Sequence, residues 1–149
     1  MKKRLGWVGG LGALAVIALQ FANPPHQNPP VPPGHDLMAG NAPPPSVATL
    51  LKNCCYDCHS FETQWPWYSY VAPVSWFVVR DVNAARASLN FSEWPWDDAA
   101  RARKRWRHIA DEVQNGGMPL PGYARMHPKA RLDERQRAAL VKWASEQAR

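Results

Sequence analysis

Apolar residues recur at steps of three and four over three stretches of the chain, and no stretch alternates convincingly at period two. Val74, Phe77, Val78, Val82 and Ala85 predict a helix with one buried face, opened by Pro73 in its first turn and running to about Leu89. Ala99, Ala102, Trp106, Ile109, Ala110 and Val113 predict a second helix, from Asp97 or Asp98 to Gly116, with Arg103, Lys104, Arg105 and Arg107 mostly outward. Asp133 followed by Gln136 has the spacing of a capping box and predicts a last helix to about Gln147, with Leu140, Val141, Trp143 and Ala144 inward. Ahead of these, Ser46 is placed to cap a short helix from Val47 to about Asn53. Pro66 and Pro73 make a loop of the segment between. The triplet Trp-Pro-Trp occurs at 65–67 and 94–96 in different flanking sequence, which predicts two similar turns and no duplication. Residues 46–149 therefore read as one all-α domain.

The first 45 residues follow other rules. Met1-Lys2-Lys3-Arg4 precedes an apolar run from Leu5 to Phe21, the pattern of a secretory signal or a membrane anchor. Gln20-Phe21-Ala22 fits a cleavage site poorly, and a run of about 17 residues stands at the lower limit of ~17–25 for a span. Residues 1–22 are expected to be an uncleaved signal-anchor, with a cleaved signal as the alternative. Either places the rest outside the cytoplasm, on the periplasmic face of the inner membrane or free in the periplasm. Nine of the fifteen prolines fall in residues 23–45, which predicts an extended linker without helix or sheet, and solvated His26, His35 and Met38.

Composition narrows the partners. A formal charge of +6 carries no nucleic-acid motif with it, so acidic proteins or anionic lipid are the expected counterparts, and nucleic acid is not. Eight Trp in 149 residues suit the lining of a pocket for a large flat ligand as well as they suit ordinary core packing.

Cys55-Tyr56-Asp57-Cys58-His59 carries the chemistry. C-x-x-C-H is the attachment signature of c-type haem: two thiols three residues apart reach two vinyl groups of one porphyrin, and the histidine that follows falls beneath the iron. A thioredoxin-like pair wants a βαβ context, a structural zinc site wants four ligands, and a disulfide leaves the histidine unexplained. Cys54 creates an overlapping C-x-x-x-C-H. Attachment is assigned to Cys55 and Cys58 as the commoner spacing, and Cys54 is expected to be a small buried residue, with a spare thiol as the alternative. Met118, in Gly116-Gly117-Met118-Pro119, is the leading candidate for a second iron ligand beside His59. Met126 and His127 compete with it, His127 being equally suited to hold its loop by a backbone hydrogen bond. His108 is expected in solvent. With no second protein ligand the iron would stay open to a gas or peroxide.

These residues extend into a longer pattern. Cys55-Tyr56-Asp57-Cys58-His59-Ser60, Glu62-Thr63, Trp65-Pro66-Trp67-Tyr68, Val71-Ala72-Pro73-Val74-Ser75-Trp76, Leu89-Asn90-Phe91-Ser92, Gly117-Met118-Pro119-Leu120 and Tyr123 with His127-Pro128 resemble the bacterial haem-binding domain family with the Cys-Tyr-Asp-Cys-His-Ser motif. The resemblance implies a small cytochrome c-like helical domain around one covalent haem, exported and often membrane-tethered. Electron transfer with redox partners is the leading function. The basic segment from Arg101 to Arg107 is by default a solvated charged face and otherwise a docking face for acidic ones, and the tether would keep the carrier near the membrane. A haem-based sensor or a peroxidase-like enzyme with an open iron site is the alternative, and an assembly module stabilised by haem is a third.

Overall fold

The computed structural model describes residues 2–149, with side chains from Gly10 onward. All regular structure among them is helical: α1 (Lys2–Gln20), α2 (Leu37–Gly40), α3 (Pro45–Cys54), α4 (Tyr56–His59), α5 (Val74–Ser88), α6 (Ala99–Gln114), α7 (Pro121–Met126) and α8 (Glu134–Gln147), with 3₁₀ turns at Trp67–Tyr70, Phe91–Glu93 and Pro128–Ala130. Among the described residues no helix is long and apolar enough to cross a membrane. The basic cluster and the first part of the apolar run, on which the anchor expectation partly rests, lie outside the described side chains.

α6 and α8 make the most extensive helix pair. The Asp98 carboxylate accepts from the Arg101 amide (2.9 Å) and starts α6; Gly116, at φ +73°, turns the chain out of it in the left-handed region that other residues avoid. In α8 both halves of the capping box form, the Gln136 amide on Asp133 (2.8 Å) and the Asp133 amide on Gln136 (3.0 Å). The Arg137 guanidinium then reaches across to the Val113 carbonyl at the end of α6. Between and beneath these helices Trp106, Ile109, Ala110, Val113, Leu140, Trp143 and Ala144 are buried, joined by Leu50 and Leu51 of α3 and by Tyr56, Phe91 and Trp94. Trp94 is completely buried, yet its indole N–H has no partner, an omission that costs about 1–3 kcal/mol. Its large apolar surface and close, tilted contact with Trp106 (ring centroids 4.3 Å apart) offset that cost.

Three sequence expectations are corrected. Residues 23–45 do not hang free: they form a strap laid along the domain. Asn23 binds the Tyr70 carbonyl (3.1 Å) and accepts from Ser75 Oγ (2.6 Å); His26 Nε2 contacts the Ser69 carbonyl (2.7 Å) and stacks on Tyr70; Asn28 reaches the Thr63 carbonyl (2.8 Å). The strap even contains a helical turn, α2, because the Asp36 carboxylate caps the amides of Met38 and Ala39, and this drives Leu37 fully into the core with Met38 packed at its edge. Prolines forbid long ladders but leave side chains free to bond. Second, α3 starts at Pro45 and Ser46 makes no cap, since proline already suits the first helical position. Third, α5 buries Ser75, Val79 and Val82, whereas Val74 and Phe77 are exposed, so the apolar stripe lies rotated from the covered face.

Candidate functional site

The C-x-x-C-H segment sits where α3 ends. Cys55 breaks the helix, and the single turn of α4 follows, held by the amides of Cys58 (3.1 Å) and His59 (2.9 Å) on the Cys55 carbonyl. Every other member of the six-residue motif fixes this turn. Tyr56 is buried against Phe91 with its rings 5.2 Å apart, and Lys52 lies over its outer face. Asp57 accepts from the Gln64 amide (2.9 Å) and from the Tyr123 hydroxyl (2.6 Å), while its carbonyl accepts from Thr63 Oγ1 (2.7 Å). Ser60 is fully buried, donates to the Tyr56 carbonyl (2.7 Å) and accepts from the Glu62 amide (2.9 Å).

His59 is buried, and its Nδ1 lies 3.0 Å from the Leu89 carbonyl. A carbonyl only accepts, so Nδ1 carries the proton and the lone pair of Nε2 is left for a metal, the arrangement that orients ligating histidines. Burial pulls the imidazole below its usual range and keeps it neutral, as a ligand must be. All three cysteines are unbridged. Burial pushes the Cys54 and Cys58 thiols up to about 11 and Cys55 higher still. Disulfide exchange needs the opposite, a stabilised thiolate, and no βαβ unit accompanies the pair among the described residues. No cluster of three or more His, Cys, Asp or Glu among the described residues is arranged around a bare metal ion. The Cys54 thiol points to the Lys129 carbonyl (4.0 Å) and is buried, as expected.

Two cavities flank α4. One, of about 180 Å³, is lined by Cys55, His59, Phe91, Ile109, Val113 and Met118, among others. The other, of about 410 Å³, lies on the Cys58 side, walled by Val74, Val78, Val82, Leu120, Tyr123 and Met126. Small-ligand sites are mostly apolar clefts of roughly 300–1,000 Å³ with a few placed polar groups, and the two spaces beside one turn answer to that description. Two unbridged thiols, Cys55 on the smaller cavity and Cys58 on the larger, an imidazole with a free Nε2 and apolar walls offer the donor set that a haem requires.

The candidate second ligands separate. Met118 shares the smaller cavity with His59, and its loop is pinned by its amide on the Glu112 carbonyl (3.1 Å). Met126 lines the larger cavity and is 59% exposed. His127 has both ring nitrogens engaged: Nδ1 with the Tyr123 carbonyl (3.0 Å), Nε2 with the Tyr68 hydroxyl (3.3 Å). It holds its loop, the alternative the sequence left open. His108 departs in part from the solvated position its sequence context predicts. It is exposed, but it also lines the smaller cavity with His59 and Met118. Its signal was present: Arg101, Arg105, His108 and Glu112 form a polar row at helical spacing along the border of the buried stripe of α6.

No curated protein and no solved structure matches the chain. The family model of the haem-binding domain, however, matches residues 14–146, which takes in the strap, the α4 turn and the Met118 loop. The chain belongs to the haem-binding domain family.

Proposed function

We propose that the chain carries one haem c, joined through thioethers at Cys55 and Cys58 and ligated by His59 and Met118, and that it transfers electrons outside the cytoplasm at a membrane surface. The observation that carries this reading is the His59 imidazole, fixed by the Leu89 carbonyl and sharing one cavity with Cys55 and Met118. A haem bound there supplies a one-electron couple, and a thioether ligand raises its potential relative to a second histidine. The protein residues orient and shield: Leu89 sets the tautomer of His59, Asp57 holds Tyr123 and α7 over the larger cavity, and Phe91, Ile109 and Val113 keep water from the smaller one. The basic residues Arg101, Lys104 and Arg105 border an open groove that meets the smaller cavity at Ser88, Leu89 and His108, which favours acidic redox partners.

A second reading is supported by His108. It lines the cavity of His59, so with Met118 off the iron it would stand as a polar group beside an open site, which suits a sensor or a peroxidase-like enzyme. The test is the haemochrome spectrum of the exported chain beside Cys55→Ala and Cys58→Ala, followed by the spin state of Met118→Ala and His108→Ala. Covalent attachment lost in both cysteine variants, and a low-spin iron turned high-spin by Met118→Ala alone, is the expected result. Attachment that survives both cysteine changes refutes the thioether assignment. A high-spin native iron that takes carbon monoxide readily refutes the electron carrier.

A further inference from the structure

Six of the domain's exposed large apolar side chains fall close together in sequence. Trp67 (78% exposed), Tyr70 (53%), Val71, Val74, Trp76 and Phe77 (54%) fall within a single stretch of chain, and no charged residue interrupts the sequence from Thr63 to Val79. Isolated surface apolar residues need no explanation; a contiguous aromatic patch marks an interaction site.

The same stretch is where α1 is fastened. Gln20 at its end makes a two-way clasp with Ala72, its side-chain oxygen accepting from the amide (3.0 Å) and its nitrogen donating to the carbonyl (3.3 Å). Trp76 Nε1 donates to the Ala22 carbonyl (3.0 Å), and Asn23 bridges the Tyr70 carbonyl and Ser75. Above this foot Leu11, Leu14, Val16 and Ile17 are all exposed, and Phe21 is 90% exposed beside it. A helical stretch apolar on every side belongs in a core or in lipid, and none of the described side chains from Leu11 to Leu19 is buried in a core. Its apolar run, Leu5 to Phe21, stands at the lower limit of ~17–25 residues for a span, while Trp and Tyr are the side chains that settle at the headgroup level.

We propose that the foot of α1, the Trp67–Tyr70 turn and the first turn of α5 form one lipid-facing seat, with Trp67, Tyr70 and Phe77 entering the headgroup zone. The domain is then held in one orientation on the bilayer and does not swing on an arm. Val74 belongs both to this patch and to the wall of the larger cavity, so the seat brings that cavity to the lipid surface. The proposal rests on the reading of α1 as an element that engages the membrane, and the experiment separates the two.

The full-length chain is mixed with vesicles of phosphatidylethanolamine and phosphatidylglycerol whose acyl chains are brominated just below the headgroups, and both flotation and tryptophan quenching are measured. The native chain floats and is quenched; Trp67→Phe floats equally but loses the share of quenching that Trp7 and Trp76 do not carry; Gln20→Ala with Asn23→Ala floats and is likewise quenched less. A chain that does not float refutes both the membrane reading of α1 and the seat. A floating chain whose quenching is unchanged by Trp67→Phe refutes the seat alone. So does a detergent-solubilised dimer in which Trp67 is shielded from acrylamide, since a second copy then covers the patch.

Discussion

Arg86 is the residue that ties the strap to the haem motif, and replacing it is the most exacting test of the fold. From α5 its guanidinium donates to the Ser60 carbonyl (2.8 Å), to Thr63 Oγ1 (2.8 Å), to the Gln27 carbonyl (2.7 Å) and to Asn28 Oδ1 (3.0 Å), with its plane 5.4 Å from the centroid of Phe61. The first two bonds are partly buried and the last two are exposed. A hydrogen bond from a charged donor contributes ~1.5–3 kcal/mol where it is shielded, and exposed pairs contribute ~0–1 kcal/mol. Because the four share one group they do not add, and Arg86→Ala is expected to cost about 2–4 kcal/mol. At ~1.4 kcal/mol per tenfold, the strap-released form becomes about 30- to 700-fold more populated. Urea denaturation measures the stability, and limited digestion with a nonspecific protease reads the opening, as cleavage within residues 23–35 before the helical domain is cut. Arg86→Lys keeps the charge but not the planar fork, so it recovers only part of the loss. Were Arg86→Ala to cost less than about 0.5 kcal/mol and leave the strap protected, the strap would not be held as argued.

Further outcomes follow from other contacts. Tyr123→Phe removes the hydroxyl from the Asp57 carboxylate and is expected to cost about 1–2 kcal/mol at neutral pH, read by urea denaturation; the cost should shrink sharply in an Asp57→Asn background. Burial and the hydrogen bond to Asp57 raise the ionisation of the Tyr123 phenol above its usual range. The stability linked to it is fully present below about pH 10 and lost as pH rises beyond, where the unfolded chain gives up its proton first. Tyr123→Phe should therefore flatten the alkaline limb of a stability–pH profile, and an unchanged limb would contradict the assignment. Gly116→Ala forces a Cβ into the left-handed region at φ +73° and should lower stability by about 1 kcal/mol, with a perturbed spectrum because the Met118 loop begins there. Leu37→Ala empties a fully buried site and should cost about 2–5 kcal/mol, whereas a free linker would register no change.

Where the sequence was legible, local physics sufficed. The stripes of α6 and α8 and the capping box at Asp133 each depend on residues within a few positions of one another. Long-range pairing was not legible. Nothing near Asn23, His26 or Asn28 announces that their partners are Ser75, Tyr70 and Thr63, and one leucine among prolines has no periodicity to betray its burial. On α5 the repeat identified an apolar stripe correctly, but periodicity does not say which side another element covers. Asn23 reaches Ser75 by hydrogen bonding and claims that side, leaving Val74 to the cavity and Phe77 to the patch. The family resemblance identified the motif residues; only the structure shows why Tyr56, Asp57 and Ser60 accompany the cysteines, as the packing, the clasp and the cap of one helical turn.

The indoles of Trp94, Trp106 and Trp143 form a chain of contacts through the core, 4.3 Å and 4.8 Å between successive centroids and at fixed mutual tilts. Transition dipoles held that close couple as long as α6, α8 and the Phe91–Glu93 turn stay docked. The molecule thus has an internal optical gauge in the near ultraviolet, separate from any visible absorption of its cofactor. Assembly of the core and loading of the haem can be timed independently in one sample.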